Sequence, residues 1–234
     1  MQQENNIPGA IGHLRTAIEL DDENAEAHLL MAIVQHVNRN NSAVAEEHAR
    51  RGVEILLEQE RHGSTLAEAR NILGTILIAR GNYDDAINQL DQSAMDEMNT
   101  SPHLAWGNLG LAHIEAGNPQ LALEPLQEAV RMQPRFCVGF HRLGRAHFAM
   151  DNMEMAEAAL VQALEADESC SDNPSLQNAW RLRGEVRARL GRRDEALSDL
   201  ERCVALGAQS EDGTACQRLL DNTPPEPAPE DNPL

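Results

Sequence analysis

A pattern 34 residues long recurs along this 234-residue chain, and it leaves few folds open. In residues 103–134 it reads Trp106, Leu109, Gly110, Gly117, Ala122, Leu126, Ala129 and Pro134. The next block repeats it with Phe140, Leu143, Gly144, Ala156, Leu160 and Ala163. An earlier block carries Leu73, Gly74, Gly81, Tyr83, Ala86 and Leu90, and the last carries Trp180, Gly184, Gly191, Ala196 and Leu200. Each block describes two helices with a turn between them, marked by Gly81-Asn82, Gly117-Asn118, Asp151-Asn152 or Gly191. One such pair cannot bury its apolar face alone, so it stacks on its neighbours.

The spacing W-x2-L-G…G…A-x3-L-x2-A-x4-P resembles the tetratricopeptide repeat. The resemblance implies an all-α right-handed superhelix, a solenoid of about six repeats with the first incomplete, and no sheet. With repeat positions numbered 1 to 34, complete repeats are predicted to begin near Ala25, Ala67, His103, Cys137 and Gln177. Insertions then fall at Leu57–Ser64, Asn99–Pro102 and Cys170–Ser175, with one extra residue near Asn40–Asn41. Small residues at the helix crossing (Ala32, Gly74, Gly110, Gly144, Gly184) are expected to let paired helices approach closely. That contact offsets the cost of about 1 kcal/mol for glycine inside a helix. Leu143 is expected in the core. The predicted solenoid runs over residues 1–222 and closes with a capping helix at Gly213–Leu220. Residues 223–234, rich in proline and acid, are predicted to form a disordered or polyproline-like tail.

The formal net charge is −19, and all 19 basic residues are arginine. So acidic a surface argues against nucleic acid and anionic membranes as partners. No run of about 18 apolar residues is present to span a membrane. Residues 1–6 lack the basic and apolar stretches of a secretory signal. Residues 10–22 already read as the second helix of a repeat whose first helix is missing. The expectation is therefore a natural chain that begins further upstream.

No catalytic constellation emerges: there is no H-E-x-x-H, phosphate-binding loop, G-x-S-x-G or C-x-x-C. The chain is read as a non-enzyme, with no cofactor, metal or small-molecule substrate. His28, His113 and His147 occupy packing positions of the repeat. His36, His48, His62 and His103 are expected in solvent, and the carboxylates on outer faces and in turns. Four cysteines, Cys137, Cys170, Cys203 and Cys216, allow three pairings. Positions 1 and 34 of one repeat lie at the same end of a helical pair, and Cys137 and Cys170 hold them. Cys203 lies on the last second helix, thirteen residues before Cys216 on the cap. Disulfides Cys137–Cys170 and Cys203–Cys216 are therefore expected, in an oxidising compartment such as the periplasm. The alternative is four buried, reduced cysteines in a cytosolic protein.

In a repeat of this kind the first helices line the concave face through positions 2, 5, 9, 12 and 13. The second repeat offers Leu29, Ile33 and Val37 there, with Glu26 and His36. The third offers Glu68, Asn71, Thr75 and Ile78, and the fourth Leu104, Gly107, Leu111 and Ile114. The fifth offers Val138, His141, Arg145 and Phe148, and the last turns polar with Asn178, Arg181, Glu185 and Arg189. The Lys and Asn of the chaperone-binding clamp at positions 5 and 9 are absent. The expected site is a partner-binding groove of Leu29, Ile33, Val37, Ile78, Leu104, Leu111, Ile114, Val138 and Phe148, suited to an amphipathic or extended segment.

Three stretches resemble the pilotin lipoproteins of type IV pilus systems. They are 25–34 (AEAHLLMAIV), 71–86, and the out-of-period insertion 95–102 leading into Asn108-Leu109-Gly110-Leu111. These relatives are six-repeat proteins that help an outer-membrane secretin assemble. The resemblance implies a secretin subunit as partner and the periplasmic face of the outer membrane as location. The lipid-bearing cysteine of that family is absent, since the earliest cysteine is Cys137. Membrane association is thus expected only through an anchor outside this sequence. The other readings are a generic repeat adaptor and a regulatory domain of a larger protein.

Overall fold

The computed structural model describes residues 6–39 and 41–222. The readings of an extra residue at Asn40 and of a tail at 223–234 lie outside them in whole or part. The described residues form twelve α-helices and one 3-10 turn, with no strand. Contacts divide the chain into two compact units, Met1–Pro134 and Arg135–Leu234.

The first unit holds α1 (Ile7–Leu20), α2 (Ala25–Arg39), α3 (Ser42–Glu58), α4 (Ser64–Ala79), α5 (Tyr83–Ala94), α6 (Pro102–Glu115) and α7 (Pro119–Met132). Helices α2 and α3, α4 and α5, and α6 and α7 pack as consecutive pairs. The second unit holds α8 (Cys137–Ala149), α9 (Met153–Glu165), the 3-10 turn Pro174–Leu176, α10 (Gln177–Arg189), α11 (Arg193–Leu206) and α12 (Glu211–Asp221). Its pairs are α8 with α9 and α10 with α11, and α12 packs on both α10 and α11.

Helices α2, α8 and α10 begin where the spacing predicts. Helix α4 begins at Ser64 rather than Ala67, after Gly63 turns the chain with φ 99°. Helix α6 begins at Pro102, whose fixed φ suits a first helical position. The cap starts at Glu211 because Ser210 accepts a hydrogen bond from the Gly213 backbone N–H, 2.9 Å away.

The repeated glycine is explained by one contact. A Cβ added at Gly110 would lie 2.4 Å from Leu126 Cγ, and at Gly74 2.5 Å from Leu90 Cγ. The distances at Gly144 to Leu160 and Gly184 to Leu200 are 2.6 and 3.0 Å. In each pair a leucine of the second helix lies against bare backbone of the first. The α2–α3 pair inverts this arrangement. Ala32 stands at the crossing, and Leu29 of α2 reaches over Gly52 of α3, where a Cβ would lie 2.9 Å from its Cγ. Leu143, expected in the core, is only half-buried, and it is Leu160, fully buried, that lies against Gly144 at that crossing.

The first core gathers Leu56, Leu73, Leu77, Leu90 and Leu109, and the second Leu160, Leu164, Leu176, Leu182 and Val186. Cys137 pairs with Cys170, and Cys203 with Cys216. Cys170 is buried in the second core, and Cys203 and Cys216 pack with Leu200.

Candidate functional site

In the first unit, α4 packs against both α2 and α6, so the first helices of three successive pairs lie side by side. The nine residues expected to line a groove do not share one environment. Ile33, Val37 and Leu104 are exposed at 36%, 69% and 40%. Leu111 and Ile114 are half-buried. Ile78 packs against the first core. Leu29 is a correction: it is buried at 7%, held over Gly52 as described above. Val138 and Phe148 belong to the second unit and pack against its core. The Arg189 guanidinium also lies 4.4 Å from the centre of the Phe148 ring.

Between the exposed apolar side chains of the first unit runs a polar seam. Asn108 Nδ2 donates to Asn71 Oδ1 at 2.9 Å and lies 3.3 Å from Thr75 Oγ1, tying α6 to α4. The insertion before α6 is fixed by its own side chains. Asn99 Nδ2 donates to the Ser93 carbonyl at 2.7 Å, and Asn99 Oδ1 accepts from the Ser101 N–H at 2.8 Å. Ser93 Oγ in turn donates to the Ala67 carbonyl of α4 at 2.6 Å. Beside these bonds lies a pocket of about 330 Å³, open on one side and lined by Ile33, Ser64, Glu68, Asn71, Ile72, Asn99, Thr100, Ser101 and Leu104.

The second unit uses its polar first-helix residues internally. His141 on α8 shares a hydrogen bond of 3.0 Å with Asn178 on α10. Asn178 Nδ2 and Arg181 Nε both donate to Asp212 of α12, each at 2.8 Å. Burial pushes the His141 imidazole down to about 4, with Arg145 and Arg142 adding repulsion and the Asn178 bond opposing. The unfolded chain therefore takes up a proton near pH 6.5 that the folded chain refuses until about pH 4. The resulting stability is complete above 6.5 and is lost as pH falls through that window. The loss should reach about 3 kcal/mol at full protonation. Urea midpoints measured from pH 7.5 to 4 should fall, and His141→Gln should flatten part of that fall.

Two features escaped the sequence reading. His48, expected in solvent, faces buried His28 with Nδ1 atoms 3.0 Å apart. Burial lowers both pKa values, and His28 further lowers that of His48. The second feature corrects the placement of all carboxylates on outer faces, since Asp199 and Glu157 are buried. Arg183 grips Asp199 with two bonds of 2.9 and 2.7 Å, and Arg187 reaches Asp199 at 2.9 Å and Glu157 at 3.1 Å. Arg192 completes the chain on Glu157 at 2.6 Å. No spacing rule flags these residues, because their partners sit on different helices.

Two family models, each described as tetratricopeptide repeat, match residues 73–135 and 137–214, together more than half of the chain. The chain is a tetratricopeptide-repeat protein. Like other members it is read as a scaffold for protein partners. Over 130 residues it is 25% identical to the type IV pilus assembly protein PilF of Pseudomonas aeruginosa, covering 56% of this chain and 48% of PilF. Over 96 residues it is 29% identical to heat shock protein STI1 of Saccharomyces cerevisiae, covering 41% of this chain and 16% of STI1. The matches thus span less than half the length of either relative. Among solved structures, PilW, a widely conserved type IV pilus biogenesis factor, superposes with a TM-score of 0.75. Identity is 21%, over 90% of both chains. Pseudomonas aeruginosa PilF gives a TM-score of 0.70 at 20% identity, over 93% of this chain and 91% of PilF. At such identities the likeness establishes the fold.

Proposed function

We propose that this tetratricopeptide-repeat protein acts as a pilotin-type assembly factor that binds an outer-membrane secretin subunit of a type IV pilus system. The observation that carries the reading is the set of exposed apolar side chains, Ile33, Val37 and Leu104, on the first helices of a strongly acidic protein. Apolar surface of this kind marks partner sites. The likeness in fold to PilW and PilF, over nine-tenths of their chains, supports the choice of system. Binding would shield an unassembled subunit until its ring closes, and no bond is made or broken. The proposed location is the periplasmic face of the outer membrane. Among the described residues no helix is long and apolar enough to cross a membrane. Two disulfides support an oxidising compartment.

The double substitution Ile33→Asp and Leu111→Asp tests this reading. Exposed Ile33 and half-buried Leu111 should accept it with little loss of helicity. Secretin capture should be abolished, leaving secretin monomeric in detergent extracts. A folded double mutant that still yields heat-resistant secretin multimers at the wild-type level would refute the assignment. An unfolded double mutant would place Leu111 in the core and also end it.

A further inference from the structure

We propose that the pocket beneath the 95–101 insertion receives the side chain of an arginine or lysine on an extended segment of the partner protein. This rests on the partner-binding reading above and adds what the partner presents. The pocket has two kinds of wall. Ile33, Ile72 and Leu104 supply apolar surface, matched to the methylene stem of a long cationic side chain. Glu68, Asn71, Asn99 and Thr100 supply oxygens. Asn71 Oδ1 accepts one hydrogen bond from Asn108, and a carbonyl oxygen has room for two.

Glu68 decides the sign of the ligand. It is the one charged side chain lining the pocket among the described residues. It is exposed, and it forms no ion pair with any described residue. The first unit as a whole carries 8 arginines against 20 acidic side chains. A carboxylate ligand would meet repulsion from both. A purely apolar anchor would cover the Glu68 carboxylate, and with it a charge, without offering it a bond. An arginine or lysine satisfies both walls at once. The surrounding negative field should also speed its capture at low salt.

The test uses the full chain and fluorescein-labelled nine-residue peptides of serine and valine with arginine, lysine, leucine or glutamate at the centre. Fluorescence anisotropy should show the arginine and lysine peptides binding at least tenfold more tightly than the leucine peptide, with affinity falling as salt rises. Glu68→Gln should remove most of that preference with circular dichroism unchanged, because Glu68 is exposed. Glu68→Arg should weaken the arginine and lysine peptides at least to the level of the leucine peptide. Equal binding of the leucine and arginine peptides, no binding by any peptide, or an unchanged preference in Glu68→Gln would each overturn the proposal. A Glu68→Gln protein that captures secretin at the wild-type level would overturn the pocket while leaving the groove reading intact. If the peptides behave as expected but secretin is not captured by the wild-type chain, the pocket stands and the secretin reading fails.

Discussion

Replacing Asp199 with alanine will destabilise the second unit by about 3–5 kcal/mol, the cost of breaking a buried ion pair from one side. Asp199 is nearly inaccessible and accepts three hydrogen bonds, two from Arg183 and one from Arg187. Removing the carboxylate strands the Arg183 guanidinium, itself buried over the Trp180 ring at 4.7 Å from its centre. Glu165 cannot replace it, lying 3.7 Å from Arg183 and mostly in solvent. Urea unfolding followed by circular dichroism gives the magnitude, and hydrogen exchange in α9–α11 gives the location. The double substitution Arg183→Met and Asp199→Leu should be milder, since no buried guanidinium is then left without a carboxylate: Arg187 loses Asp199 but keeps Glu157. If the single change costs under 1 kcal/mol, water reaches the network and it is not a buried one.

Reducing or deleting the Cys137–Cys170 disulfide, as Cys137→Ser with Cys170→Ala, should cost roughly 3–4 kcal/mol in the chain-entropy model. The bridge spans 33 residues, so it closes almost a whole helical pair in the unfolded chain. The shorter Cys203–Cys216 bridge spans 13 and should contribute less. Buried Cys170 packs with Leu176 and Leu164, so alanine there also leaves a small cavity. Thermal melts of oxidised protein, reduced protein and both double mutants separate the bridge from the packing. Mass spectrometry of a non-reduced digest should show both linked peptides. Four free thiols in protein made in an oxidising compartment would remove the basis of the prediction.

The fold was legible because its determinants are local and repeat. Gly110 and Leu126, Gly74 and Leu90, and Gly144 and Leu160 recur at a fixed spacing, and each pair encodes one crossing contact. The Cys137–Cys170 pairing was legible for the same reason, since repeat positions 1 and 34 meet at one end of a helical pair. The candidate site was legible only in part. Repeat position identifies a first helix and its inward face, but it does not say how deep a side chain sits. Leu29 and Ile33 are one turn apart on that face, yet Gly52 opens space under Leu29 alone.

What the sequence determined by itself is thus the helical pair, its period and the inventory of residues on each face. These follow from neighbours along one helix or across one crossing, within reach of spacing rules. What only the tertiary structure decided is which polar groups are buried together and where open space remains. The Arg183–Asp199–Arg187–Glu157 chain draws on three helices, α9, α10 and α11. The Glu68 pocket draws on α2, α4, α6 and an insertion. Such burial and charge pairing depend on distances between elements, which no one-dimensional pattern records.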